Sequence, residues 1–145
     1  MGVGYHSPNL LDIKRKIQNL NLHNNITLLE WTVREDIFNI IKNSVLYIST
    51  ARYEGLPYSI IESLALGKPI VATDADGNRD LIKENYNGHV IKNEDEKSFS
   101  NAVLNLINNE EILNSFSKNS LEFFEKEFNI KKNIKNLEAV YSQNK

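Results

Sequence analysis

The chain has 145 residues and no cysteine, so it suits one compact domain and has no disulfides or thiolate metal sites. Hydrophobic residues make up 41% and charged residues 25% of it, which are the proportions of an ordinary globular protein and exclude a disordered or membrane-spanning chain. The formal charge is −2, with basic residues dispersed among acidic ones, so nucleic acid is not an expected partner.

The first half of the chain predicts helix, strand, helix and strand in turn. Apolar side chains recur at helical spacing over residues 9–22 and again over residues 34–42, which indicates two amphipathic helices. Between them, the β-branched and apolar residues 25–31 predict a strand. The nearly continuous apolar run at residues 44–50 is typical of a strand covered on both faces, and we expect it to be a central strand of a parallel sheet. The expected inward face of the second helix consists of Ile37, Ile40 and Ile41.

The second half predicts further strands and helices in alternation. Residues 58–66 read as a helix because Pro57 stands at their start and Gly67 follows their end. Strands at such spacings, joined by helices, predict an α/β fold in which helices cover both faces of a parallel sheet and ligands bind at the carboxyl ends of its strands. The remaining predicted strands are residues 69–73 and 88–92, and the remaining predicted helices are residues 80–84, 96–108, 110–127 and 128–142.

The segment EGLPYSIIE holds two carboxylates after the strand predicted over residues 44–50. Glu54 lies in the loop that follows this strand, and Glu62 lies about one turn inside the next helix, so we expect both to border one crevice. The backbone amides of Tyr58 and Ser59 fall in the first helical turn, where they lack helical partners and the helix dipole favours an anion such as a diphosphate. Carboxylates accept hydrogen bonds from vicinal hydroxyls, so a molecule with both phosphates and sugars suits the site.

The spacing of these two residues leaves another interpretation open. Two glutamates in one segment are common, and Glu62 could be a solvated helix residue while Glu54 favours the helix N-terminus through its charge. From spacing alone, this second interpretation has the advantage.

The run STARYEGLPYSIIESLALGKPIV closely resembles the signature of the retaining glycosyltransferases of family four, in which two Glu enclose seven residues. The similarity continues into TDADGNRDLI, where that family has a glycine-bearing loop followed by an acidic residue, and into NGHVIK, which resembles its next strand. The resemblance implies a GT-B fold, in which two Rossmann-like domains face each other across a cleft. It makes residues 1–145 the C-terminal domain, which binds the nucleotide sugar.

By position, the resemblance implies how the nucleotide would bind. Glu62 would bind the ribose hydroxyls, and the amides of Tyr58 and Ser59 would bind the diphosphate. Backbone near Val33, in the loop after the strand predicted over residues 25–31, would contact the base, although Glu30 stands where the family usually has glycine.

The resemblance also implies where the sugar would lie and how it would react. Glu54 would be the catalytic residue beside the donor sugar, where it would orient the ring and stabilise developing positive charge. The amides of Gly55 and Leu56 would reach the sugar hydroxyls. Most members of the family need no metal ion, and we expect neither a metal nor a cofactor, because the three histidines show no ligand spacing.

Part of the family's pattern has no counterpart in the sequence. The Arg and Lys that hold the diphosphate in that family follow the first strand of the domain, which would precede Met1, and Gly2 to Gly4 resemble the end of the second strand. We therefore expect a truncated domain that lacks its first strands. Those strands would lie between the segments NITLLEW and SVLYIST, so the remaining sheet would have a gap.

The expected function is retaining transfer of a hexose from a UDP-sugar or similar donor to a glycan or lipid-linked acceptor in bacterial surface polysaccharide synthesis. The acceptor would bind a missing N-terminal domain, so we expect no activity from this chain alone. The alternatives are a nucleotide-sugar-binding module without turnover and a sugar-nucleotide epimerase of the same architecture. The sequence has neither a secretion signal nor a membrane-spanning run, which predicts a cytoplasmic protein. The full-length enzyme could associate peripherally with the inner face of the membrane.

Overall fold

A computed structural model of the chain describes residues 9–29 and 32–143, and the chain divides into two compact units, residues 1–37 and 38–145. The first unit holds α1, Leu10–Asn19, in which no residue is buried. Helix α2, Arg34–Asn43, begins in the first unit and ends in the second. Both helices were predicted, but of the expected inward face of α2 only Ile41 is buried.

The strand predicted over residues 25–31 is not formed by residues 25–29, which adopt turns and irregular backbone with a single bridge residue at Leu29. Glu30 and Trp31 lie outside the described residues. The prediction is wrong for residues 25–29. A strand is stable only where its N–H and C=O groups pair with a neighbour, and an apolar, β-branched composition does not supply that neighbour.

The second unit is built on a parallel sheet of three strands in the order β1-β2-β3. Ile48 pairs with Val71, and Val71 pairs with His89, which sets the register across the sheet. The strands are β1, Tyr47–Ser49, β2, Ile70–Thr73, and β3, Gly88–Ile91.

The central strand of this sheet is β2, in which all four residues are buried. Among the described residues, β1 is an edge strand and is only partly buried, so the prediction of a central strand over residues 44–50 is wrong for the part of the sheet that the structure describes. An apolar run indicates that a strand is suited to burial, but the order of the strands depends on how the crossover helices pack.

The helices of the second unit agree with the predicted bounds within two residues, with one exception. The helix predicted over residues 80–84 begins at Asp76 instead, because the carbonyl of Ala75 accepts hydrogen bonds from the amides of Asn78 and Arg79 and so starts the first turn earlier. The helices are α3, Tyr58–Ala65, α4, Asp76–Leu81, α5, Glu96–Ile107, α6, Glu110–Glu127, and α7, Ile130–Gln143.

Helices cover both faces of β2, which confirms the predicted α/β class and its three layers. Ile70 and Ala72 point to one face and join a cluster with Leu64 of α3. Val71 points to the other face and joins Leu106 of α5 and other residues of the second cluster. Full burial of an aliphatic side chain contributes about 1.5–3 kcal/mol, so this two-sided packing stabilises the sheet.

Helix α6 contacts the residues that precede β2 and β3, at the amino ends of these strands. The side chain of Asn119 donates to the carbonyl of Tyr86, just before β3, and Ser120 donates to the carbonyl of Lys68, just before β2. The loops that bear the predicted site residues therefore leave the sheet on the opposite side, at the carboxyl ends of the strands.

Candidate functional site

The head of α3 is formed by a loop, residues 50–57, that leaves the carboxyl end of β1. Pro57 is buried and has extended backbone as the N-cap residue. As the N-cap residue, Pro57 makes no side-chain capping hydrogen bond, and the first turn of the helix contains no acidic residue. The amides of Tyr58 and Ser59 open the helix, where amides have no helical partner, and both residues are exposed. This helix start is thus suited to receive an anion.

Both predicted carboxylates lie on this loop–helix unit. Glu54 is half-buried in the loop, and Glu62 is half-buried on α3. Glu62 follows Tyr58 by four residues, so the two share one helix face. Because Cα–Cβ bonds in a helix tilt towards its N-terminus, the Cβ of Glu62 is tilted towards the helix start.

The loop around Glu54 rests on the first turn of α4. The amide of Gly77 donates a 2.8 Å hydrogen bond to the carbonyl of Glu54. A Cβ on Gly77 would overlap the carbonyl oxygen of Gly55 and lie 2.9 Å from the carbonyl oxygen of Glu54. Only glycine therefore allows this approach.

A second contact holds the same loop nearer to β1. The hydroxyl of Thr73 donates a 2.7 Å hydrogen bond to the carbonyl of Ala51, and Asn78 donates a 2.8 Å hydrogen bond from Nδ2 to the carbonyl of Thr73. The Oδ1 atom of Asn78 is buried without a hydrogen-bond partner among the described residues. Sequence reasoning missed Thr73 and Asn78 entirely; for Gly77, the glycine in TDADGNRDLI was a signal, but its contact with the loop was not predicted.

A cavity of about 270 Å³ opens at the carboxyl ends of all three strands. Thr50, Thr73 and Lys92, each at a strand end, line it together with the start of α5. None of the predicted site residues is among its lining residues. The structure therefore places Glu54 and the start of α3 on the same side of the sheet as this cavity, but not among the residues that line the cavity.

Two arginines near the carboxyl ends of the strands, Arg52 and Arg79, are paired with carboxylates. Arg52 lies 3.1 Å from Glu94, and Arg79 lies 2.6 Å from Asp74 and also contacts Asp76. The hydrogen bond and charge of Asp74, with a smaller contribution from Asp76, raise the pKa of Arg79 above its ordinary value. These exposed pairs neutralise the positive charge that could otherwise serve an anionic ligand.

Val33 is exposed and lies one residue before α2 in the first unit. The other predicted site residues all belong to the second unit. The contact of the Val33 backbone with a base stays a prediction.

Among the described residues, no group of three or more His, Cys, Asp or Glu side chains is arranged to hold a metal ion. His89 instead contacts Glu84 at 2.5 Å through Nδ1 and packs against the ring of Phe116, which gives it a structural role. None of the described helices has the length and apolar character needed to cross a bilayer.

Residues 3–123 match the sequence profile of a family described as Glycosyl transferases group 1. The chain is similar to the UDP-Gal:alpha-D-GlcNAc-diphosphoundecaprenol alpha-1,3-galactosyltransferase of Escherichia coli, with 33% identity over 131 residues that cover 90% of this chain. That alignment covers 33% of the relative, so the chain spans about a third of the length of that protein.

Two solved structures show the same fold. HepE from Anabaena, crystallised with UDP-glucose, superposes with a TM-score of 0.84 at 19% identity, over 97% of this chain and 39% of HepE. A mutant of TarM from S. aureus, crystallised with fondaparinux, alpha-GlcNAc-glycerol and UDP, superposes with a TM-score of 0.83 at 24% identity, over 97% of this chain and 28% of TarM.

Proposed function

The chain belongs to the Glycosyl transferases group 1 family, and on this premise we propose that it is the donor-binding part of a retaining, family-four glycosyltransferase that uses a nucleotide sugar. The observation that carries the proposal is the head of α3, a helix start at the carboxyl ends of the strands of a parallel sheet. Glu54 lies in the loop before this helix start, and Glu62 lies within the helix. Such edges are where α/β folds bind nucleotides.

The diphosphate of the donor would bind the amides of Tyr58 and Ser59. Both residues are exposed at the helix start, and the first turn of α3 has no acidic residue that would repel a phosphate. Hydrogen bonds from amides to an ionised phosphate are about twice as strong as those between neutral groups. The two amides thus supply binding without a cationic side chain.

The ribose would bind Glu62. A carboxylate has two acceptor oxygens, which match the two hydroxyls of a ribose. Glu62 lies one turn after Tyr58 on α3, so a nucleoside bound by its carboxylate would lie next to the diphosphate. From the family resemblance alone, we also propose that backbone near Val33 contacts the base.

The sugar would lie against the loop, beside Glu54 and the amides of Gly55 and Leu56. In the transfer, the bond from the anomeric carbon to the diphosphate oxygen breaks, and a bond to the acceptor oxygen forms on the same face of the ring. The nucleoside diphosphate leaves, and its departing oxygen takes up the proton of the acceptor hydroxyl. Glu54 would orient the ring and stabilise the positive charge that develops on it, with no metal ion or cofactor.

We further propose that the donor is a UDP-hexose and that the acceptor is a glycan or a lipid-linked sugar in bacterial surface polysaccharide synthesis. The name of the Escherichia coli relative includes both a UDP-linked sugar and a diphosphoundecaprenol acceptor. The acceptor would bind a second domain of the full-length enzyme, which would act at the inner face of the membrane.

Titration of the 15N-labelled chain with UDP, followed by NMR, tests this proposal. We expect the amide signals of Tyr58 and Ser59 to shift with UDP and to shift far less with uridine, which has no phosphates. Subsequent addition of UDP-galactose or UDP-glucose should also shift the signals of Gly55 and Leu56. Shifts confined to other parts of the chain would refute the assigned site.

A nucleotide-sugar-binding module without turnover is a second candidate, because donor binding as proposed needs only the head of α3 and the loop before it. Both candidates predict UDP binding. They differ in whether the full-length protein releases UDP from UDP-galactose or UDP-glucose in the presence of a sugar acceptor, which a coupled assay for UDP measures.

A further inference from the structure

We propose that Thr73 and Gly77, which donate hydrogen bonds to two backbone carbonyls of the loop bearing Glu54, hold this loop in position. We call this pair of residues the clamp and infer that both are positioning residues for sugar transfer. The part of this inference that concerns transfer rests on the proposed function. The clamp itself rests only on contacts between the loop and the β2–α4 junction.

The first point of the clamp is Gly77. Its amide holds the carbonyl of Glu54 at 2.8 Å, and its lack of a side chain lets the loop descend onto the backbone of α4. A Cβ at this position would lie 2.6 Å from the carbonyl carbon of Gly55, well inside van der Waals contact. The backbone at Glu54 and Gly55 thus lies against α4 with no space between them.

The second point is Thr73. Its hydroxyl holds the carbonyl of Ala51 at 2.7 Å, three residues before Glu54. Thr73 is the last residue of β2 and is 9% exposed, so this hydroxyl is fixed by the core. Two carbonyls of the loop, on either side of its exposed tip, are therefore held by one rigid support.

The support is itself tied together by Asn78. Its side chain is fully buried and donates to the carbonyl of Thr73, which joins the start of α4 to the end of β2. The two clamp residues are therefore linked through one buried hydrogen bond.

Apart from buried Pro57 at its end and the exposed ion pair of Arg52 with Glu94, the described side chains of the loop make little packing contact. Tyr53 is 92% exposed, Leu56 is half exposed, and a Cβ on Gly55 would meet no atom within 4 Å. The position of Glu54 is therefore set mainly by the two carbonyl contacts. A displacement of about 1 Å at a reacting group costs up to about a hundredfold in rate, so this restraint matters for chemistry.

The clamp should act on the sugar and not on the nucleotide. The head of α3 is anchored separately, because Pro57 is buried and Ile60 and Leu64 lie in the core. Loosening the loop would move Glu54, Gly55 and their contacts with the sugar, while the amides that would bind the diphosphate stay in place.

Four variants test the clamp. Thr73→Val removes the hydroxyl without adding volume, and Thr73→Ser restores it. Gly77→Ala adds the obstructing Cβ. Gly88→Ala is the matched control, because its Cβ would overlap the carbonyl oxygen of Ile70 and lie 3.0 Å from Ile82, on β3 and away from the loop.

The first measurement uses no ligand. Hydrogen exchange by NMR should show the Gly77 amide protected in the wild type, and Thr73→Val should speed its exchange by about tenfold relative to the amides of β2, since local opening governs exchange. Thr73→Ser should restore protection. An unchanged Gly77 amide in Thr73→Val would overturn the clamp, and this result does not depend on Gly77→Ala folding.

The second measurement compares the dissociation constants of UDP-galactose and UDP-glucose with that of UDP. We expect Thr73→Val and Gly77→Ala to weaken the binding of at least one donor by about tenfold relative to UDP, the loss expected for about one hydrogen bond to the sugar, while Gly88→Ala weakens all three equally. Equal losses for donor and UDP in the clamp variants would overturn the positioning role. If the wild type bound no UDP, the proposed function and the positioning role would both fail, whereas the exchange measurement would still decide whether the clamp exists.

Discussion

The hydroxyl of Ser120 in α6 donates a 2.9 Å hydrogen bond to the carbonyl oxygen of Lys68, in the turn between α3 and β2. Ser120 is fully buried. Because Lys68 lies just beyond the end of α3, this contact fastens the helix bearing Glu62 at its far end, at the amino edge of the sheet. The candidate site is thus supported by packing that a ligand at the other edge would not touch.

Replacing Ser120 by alanine is expected to lower the free energy of unfolding by about 0.5–1.5 kcal/mol, because its part-buried hydrogen bond to the carbonyl of Lys68 would be lost. Urea denaturation followed by circular dichroism measures the change. Ser100→Ala is the control, since its hydroxyl donates to the carbonyl of Lys97 at an exposed position and should cost no more than about 0.5 kcal/mol. An equal loss of unfolding free energy in the two variants would show that the Ser120 hydrogen bond stabilises the fold no more than an exposed one does.

Gly67→Ala should destabilise the end of α3. Gly67 has φ +65°, which costs a residue with a side chain about 1–2 kcal/mol, and an added Cβ would lie 3.1 Å from Leu121. Gly55→Ala, with no atom within 4 Å of the added Cβ, is the matched control for stability. A thermal midpoint of Gly67→Ala equal to that of Gly55→Ala would contradict this account of the helix end.

The bounds of α3 could be predicted because local residues determine them. Pro57 sets the start, and at the end the amide of Gly67 donates to Leu64 and that of Lys68 donates to Ser63, the paired bonds of a Schellman motif. This motif needs only a few neighbouring residues and a glycine at the right place. Local chemistry of this kind is visible in one sequence.

What could not be predicted depends on contacts between distant segments. The edge position of β1 depends on which strand neighbours it, and residues 25–29 are not a strand although their composition favours one. In the candidate site, the spacing of Glu54 and Glu62 was visible, but the hydroxyl of Thr73 meets a carbonyl 22 residues away. No periodicity or motif in the sequence indicates such a contact.

Asp95 should make the stability of the chain depend on pH in acid. It is the N-cap residue of α5, and its carboxylate accepts a 2.9 Å hydrogen bond from the amide of Ser98, which lowers its pKa below the ordinary value. A carboxyl group with a lowered folded-state pKa stabilises the fold above its unfolded pKa of about 3.9, and this contribution is lost as the pH falls through the folded value.

Asp95→Asn tests this prediction, because asparagine still caps the helix but does not titrate. Urea unfolding measured from pH 6 down to about pH 2 should show a smaller acid loss of stability in Asp95→Asn than in the wild type. Parallel curves for the two proteins over this range would mean that Asp95 does not contribute.

Glu62→Ala is expected to weaken UDP binding by about 1–3 kcal/mol, the range for loss of a hydrogen bond to a buried partner. Calorimetric titration measures the dissociation constant directly. Because Glu62 would bind the ribose hydroxyls, the wild type should also bind 2′-deoxyuridine diphosphate more weakly than UDP.

The losses of binding free energy from Glu62→Ala and from removal of the ribose 2′-hydroxyl should not be additive. With Glu62 replaced by alanine, the 2′-hydroxyl has lost its partner, so the variant should bind UDP and the deoxy compound with nearly equal affinity, and the difference between the two proteins gives the coupling energy. Glu122→Ala, on the exposed face of α6, should bind both nucleotides as the wild type does. If Glu62→Ala kept the full preference for UDP, the 2′-hydroxyl would have another partner and Glu62 would have no part in binding it.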